Sequence, residues 1–98
     1  MKFMVIVRFR DSFYALPPKK QQEIGDATGQ YLDKLTKEGK LKETYFLGNM
    51  KGVMMIYDLN SSEDLVRLGY ESPVFPFVDR EITPLVEMDV VRKVQAKK

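Results

Sequence analysis

The segment Lys2 to Arg10, KFMVIVRFR, sets Phe3, Val5, Val7 and Phe9 in alternation with Met4, Ile6, Arg8 and Arg10. β-Branched and aromatic residues at this density read as a strand. Apart from the arginines, both alternating sets are apolar, so the strand has to be covered on both faces. The same holds for Val53 to Leu59, VMMIYDL. A chain of 98 residues is one domain that buries only roughly two-thirds of its unfolded surface. It has material for one covering layer, and the second must come from elsewhere.

The segments between supply that one layer. Pro17 and Pro18 open a helix, where a missing N–H has no partner to lose. Ile24, Ala27, Tyr31, Leu32 and Leu35 recur along it at spacings of three and four, and it ends at Gly39, a left-handed cap. Gly25 and Gly29 lie one turn apart inside it, at about 1 kcal/mol each relative to alanine. They signify either close packing on the sheet or room for a ligand under the helix. Leu41 to Leu47 and Val53 to Leu59 flank the turn GNMKG and form a hairpin. Ser61 caps a second helix that closes near Gly69 or Tyr70, with Asp64 at the capping-box position. Ile82 to Val91, interrupted by Pro84, reads as a fourth strand at or near an edge. Between them, Ser72 and Phe75 each precede a proline and are expected to be extended.

The order βαββαβ is α+β and ferredoxin-like, a four-stranded antiparallel sheet with two helices on one face. The apolar second face then predicts a homodimer, sheet against sheet, as a dimeric α+β barrel. Residues 1–91 form this single domain. Residues 92–98 hold Arg92, Lys93, Lys97 and Lys98 and no acid, and are expected to be a flexible basic tail. These four exceed the whole net charge of +2, so the body is net acidic and no nucleic-acid partner is expected.

Cysteine and histidine are both absent, which removes disulfides, thiolate nucleophiles, the commonest general base and the commonest transition-metal ligand together. Chemistry in this chain runs on carboxylates, Lys, Arg or Tyr, and neither a metal nor an organic cofactor is expected. No apolar run reaches the roughly 18 residues of a membrane span, and Met1 to Phe9 lacks a cleavage-type site. A cytoplasmic location without membrane partners is expected.

Two stretches, YDLNSSEDL and SPVFPFVDREITPL, resemble the muconolactone isomerase-like branch of the dimeric α+β barrel superfamily. The resemblance runs from about Phe3 to Met88 and is most specific at Pro73, Phe75, Pro76, Phe77 and Asp79. It implies a sheet-to-sheet dimer, open to further assembly into rings, and a small cleft between helices and sheet. It also implies an allylic proton shift on a small lactone carboxylate without metal or organic cofactor. Where family enzymes carry histidine and other basic or aromatic residues on strand two and its turn, this chain has Glu43, Tyr45 and Met50.

A cofactor-free proton shift needs a base, and a donor or cation to hold the developing enolate. Glu43, in one alternating set with Leu41, Tyr45 and Leu47, is the candidate base; otherwise it is a rim carboxylate paired with Lys42 or Arg8. Arg8 is the candidate anion anchor, or else a salt-bridge partner of Asp58 or Glu87. Tyr45 and Tyr57 are candidate donors to the enolate, or satisfied core tyrosines. Phe75 and Phe77 are expected to wall the cleft or meet the partner subunit. Asp79 caps the turn into the last strand or enters the cleft as a second carboxylate. The expected function is a cofactor-independent isomerase of a small hydrophobic lactone or carboxylate. The alternatives are a non-catalytic ligand-binding or structural barrel, and a cofactor-free monooxygenase of a sibling barrel family.

Overall fold

The computed structural model describes residues 1–97. Strand β1 spans Lys2–Phe9, followed by a single turn of helix, α1, at Asp11–Tyr14 and the long helix α2 at Pro18–Lys37. Strands β2 (Leu41–Phe46) and β3 (Gly52–Asp58) form the hairpin, α3 runs over Ser62–Glu71, and β4 covers Val78–Leu85. The sheet order is β2-β3-β1-β4 and every pairing is antiparallel. The ferredoxin-like architecture expected from the order of segments is the one observed.

Pro18 stands in the first turn of α2, and the helix ends in a Schellman motif. Lys40 N–H donates to the Leu35 carbonyl and Gly39 N–H to that of Thr36, with Gly39 at a φ of 77°. At α3 the Ser61 hydroxyl accepts the Asp64 N–H at 3.2 Å, the cap expected there. Phe3, Val5 and Val7 of β1 and Val53, Met55 and Tyr57 of β3 are buried beneath these helices with Leu35, Leu65 and Leu68. Gly52 begins β3 without a side chain because a Cβ there would strike the Val7 carbonyl oxygen on the adjacent strand.

Three segments differ from expectation. Phe75 is not extended: Phe75–Phe77 forms one 3-10 turn, with Phe77 N–H donating to the Val74 carbonyl, and this turn delivers the chain to β4. The strand read at Ile82–Val91 instead occupies Val78–Leu85, with Pro84 on the edge, where a missing donor leaves no ladder bond unmade. Beyond it Met88–Ala96 is a helix, α4, which takes in tail residues 92–96 and exposes Val90, Val91 and Val94. Met88, Val91 and Val94 recur every third residue, a helical spacing in place of the alternation expected of a strand.

The two faces of the sheet part company in chemistry. Val78 and Arg80 of β4 pair with Phe9 and Val7, so they share the helix-covered face. The open face carries Met4, Ile6, Met54 and Ile56, all half-buried, with Tyr45 and Leu85 exposed beside them.

Candidate functional site

Between α2, α3 and the covered face of the sheet lies a cavity of about 250 Å³. Its floor is Val7, Val53, Met55, Tyr57 and Val78, and its lid is Gly25, Thr28, Gly29 and Leu32 of α2. Gly69, Ser72, Val74 and Phe75 close one side. A Cβ built on Gly25 or Gly29 has no atom within 4 Å, so these glycines leave space and do not permit close packing. Both are exposed and border the cavity, so close packing on the sheet is not what surrounds them.

One cation enters this apolar space. Four of the five arginines, Arg8, Arg10, Arg67 and Arg92, are each paired with a carboxylate on the surface. Arg80, half-buried on β4, lines the cavity and makes no ion pair among the described residues. Its guanidinium lies against the backbone of α3 at Gly69. A planar cation with five donors and no carboxylate is a ready partner for an anion.

Tyr57 stands beside it. Burial pushes its phenol up to about 12, with the positive charge of Arg80 pulling the other way. The hydroxyl donates at 3.4 Å to the Met55 sulfur, a weak acceptor that a ligand oxygen would displace. Tyr57 is thus a neutral donor throughout the physiological range. Tyr31, whose phenol burial and then the charge of Glu71 raise to about 12, donates to the Leu68 carbonyl at 3.0 Å. That bond ties α2 to α3 over the cavity.

The raised pKa of Tyr57 has a sign in stability. The unfolded phenol ionises near pH 10. Stability from the protonated folded group is whole below that pH and is lost as pH climbs toward 12. Denaturant titrations at about pH 8 and about pH 11 are expected to show a smaller alkaline loss in Tyr57→Phe than in the unsubstituted chain. Equal losses would remove Tyr57 as a source of alkaline instability.

Comparison with known proteins places this geometry. The family model for muconolactone delta-isomerase matches residues 1–89. The chain belongs to the muconolactone delta-isomerase family. Among solved structures, a muconolactone isomerase superimposes with a TM-score of 0.76 at 22% identity, covering 89% of this chain and 90% of that one. A 5-chloro-2-hydroxyhydroquinone dehydrochlorinase from Burkholderia phenoliruptrix AC1100, in complex with 2,5-dihydroxybenzoquinone, gives 0.71 at 14% identity, covering 92% and 98%. Both likenesses are of fold. No curated protein sequence matches the chain.

In this muconolactone delta-isomerase family member, the residues singled out from sequence divide between the two faces. Tyr57 and Phe75 line the cavity. Phe75 is held there by stacking on Tyr70, ring centroids 4.4 Å apart. Phe77 packs instead beneath α1 against Phe13, at 6.3 Å. Arg8 is on the open face, donating to Glu81 at 2.9 Å, and Asp79 is exposed and accepts from Arg10 at 2.8 Å.

Glu43 and Tyr45 lie on the open face as well, exposed, with the Tyr45 hydroxyl donating to the Glu43 carboxylate at 3.0 Å. That bond and the carboxylate's charge raise the Tyr45 pKa. The expected burial of Glu43 fails for a definite reason. Leu41 pairs with Tyr57 but Glu43 with the adjacent Ile56, so β2 carries a bulge at Lys42. One extra residue turns Glu43 to the face opposite Leu41.

Arg80 is the functional candidate that reading from sequence missed. It sits in a charged run after two aromatics and resembles a solvated turn. Its signal was the alternation Val78, Arg80, Ile82, which sets it in the apolar half of an edge strand.

Among the described residues no group of three His, Cys, Asp or Glu side chains is placed to hold a metal. No helix among them is long and apolar enough to cross a membrane.

Proposed function

We propose that the helix-sheet cavity binds a small hydrophobic carboxylate or unsaturated lactone, and that the chain moves a proton between two carbons of it without metal or organic cofactor. The observation that carries this reading is the guanidinium of Arg80, without a carboxylate partner among the described residues, in an apolar cavity beside a protonated Tyr57. Membership of the muconolactone delta-isomerase family supplies the reaction type.

The chemistry follows from charge. When a proton leaves carbon next to a carbonyl, the electron pair delocalises onto oxygen as an enolate. Reprotonation two carbons along moves the double bond, with no net oxidation and no atom lost. Donors already aimed at that oxygen lower the barrier because they need not reorient as charge develops. Arg80 supplies a cation and Tyr57 an O–H. A water-poor cavity strengthens both.

The proton acceptor is the open element of this reading. Among the described residues no carboxylate lines the cavity, and Glu43 is on the other side of the sheet. That observation favours a second reading, a ligand-binding barrel that holds such an anion without turning it over. The open cavity argues against a purely structural barrel.

Muconolactone turnover decides between them. The unsubstituted chain is expected to isomerise it, with kcat/KM reduced about 10²–10³-fold in Arg80→Met, the usual loss of an oxyanion donor. Glu43→Gln is expected to leave the rate unchanged. Binding of muconolactone without turnover would establish the second reading, and neither binding nor turnover would overturn both.

A further inference from the structure

Gly69 has no backbone reason to be glycine. It is buried inside α3, near the carboxyl end of a regular helix, and its φ lies outside the left-handed range. In such a place glycine costs a helix about 1 kcal/mol relative to alanine. What its missing side chain does is visible on the facing strand. A Cβ at Gly69 would overlap the Nη1 and Cζ atoms of Arg80 and stand 2.8 Å from Nη2.

We infer that Gly69 is the positioning residue for Arg80: the bare backbone of α3 is the seat that keeps the guanidinium turned into the cavity. The inference rests on the reading of Arg80 as the anion anchor. Two further contacts fix the seat, one to α2 and one at the end of α3 itself. Tyr31 holds the carbonyl of Leu68, the residue before Gly69, at 3.0 Å. Ser72 N–H donates to the Gly69 carbonyl at 3.2 Å, which fixes the end of the helix. Neither bond uses the Gly69 side, so that face stays free for the arginine.

The overlap is with the far end of a flexible side chain and not with backbone. A methyl group at position 69 therefore leaves α3 in place and displaces the guanidinium. Fold and anchor separate: Gly69→Ala gains helix propensity and loses the cation from the cavity.

Benzoate, a small hydrophobic carboxylate, is the probe, with affinity read by calorimetry on the full chain and stability by denaturant titration. Arg80→Met is expected to weaken benzoate binding about 10–100-fold, the loss of a charged hydrogen-bonding partner. Gly69→Ala is expected to weaken it about 10-fold or more while the chain stays at least as stable. In an Arg80→Met background, Gly69→Ala is expected to change nothing further, because it acts only through the arginine.

The outcomes are separable. If the unsubstituted chain ignores benzoate, or Arg80→Met binds it equally well, the anchor reading falls and the inference with it. If Arg80→Met binds poorly and Gly69→Ala binds normally, only the inference falls. A second loss on adding Gly69→Ala to Arg80→Met would show that Gly69 shapes the cavity by itself, and would overturn it. So would a Gly69→Ala chain that fails to fold, since the guanidinium would then not have yielded.

Discussion

Replacing Gly25 and Gly29 together by leucine is expected to eliminate ligand binding in a protein that is no less stable than the original. The two positions are one helical turn apart on α2, both border the cavity, and neither has an atom within 4 Å of an added Cβ. Leucine exceeds glycine in helix propensity by about 0.8 kcal/mol per site, so the helix gains. The new side chains also find apolar surface to cover, which adds stability at roughly 25 cal/mol per Å². The space they take is the space under the helix, and a cavity of about 250 Å³ has little to give. Affinity for benzoate or muconolactone should fall on the order of 100-fold, about 2.7 kcal/mol. A stabilised chain with unchanged affinity would show that ligand does not lie beneath α2. A destabilised one would show that the glycines are there for packing. This trade of helix stability for open volume is what a binding site would require and a structural barrel would not.

Much of the fold could be read in the chain before folding, and most of the site could not. Segments whose meaning depends on their own residues came through: the Schellman end at Gly39, the Ser61 cap, the two-faced apolar pattern of β1 and β3. Segments whose meaning depends on a count across strands did not. Period-2 reasoning assumes an unbroken ladder, and one bulge at Lys42 moved Glu43 out of the apolar set and onto the open face. Arg8 looks like a lone cation in an apolar strand and Arg80 like one member of a charged run, yet register reverses their roles. Arg8 has Asp79 directly across and Glu81 within reach, whereas Arg80 has Val7 across and the backbone of α3 above. The Phe75 and Phe77 pair split for a local reason instead. A 3-10 turn sends one ring toward the cavity and the other beneath α1.

The open face of the sheet leads to the remaining large effect, the loss of self-association when its centre is charged. Met4, Ile6, Met54 and Ile56 form a block across β1 and β3, and Tyr45 and Leu85 extend it at 55% and 39% exposure. At one end, Arg8 with Glu81 and Arg10 with Asp79 satisfy one another within the chain, so the rim needs no partner charge. A second copy of this face suits the block best, because an isologous pairing buries the apolar centre and leaves both rims in water. Light scattering at micromolar concentration is expected to give at least twice the 11.4 kDa chain mass. Met54→Asp should give the single-chain mass. Two-fold symmetry places two aspartates in the contact, each buried at a penalty of roughly several kcal/mol. In the lone chain Met54 is half-buried and a carboxylate there reaches water, so folding is retained. A monomeric parent would refute the sheet-to-sheet pairing, and a Met54→Asp variant of undiminished mass would move the interface to another surface. Because every wall described for the cavity belongs to one chain and lies on the opposite face, the monomeric variant is expected to bind benzoate as tightly as the parent. Weaker binding would mean that a neighbouring subunit completes the site, which would also supply a place to look for the missing proton acceptor.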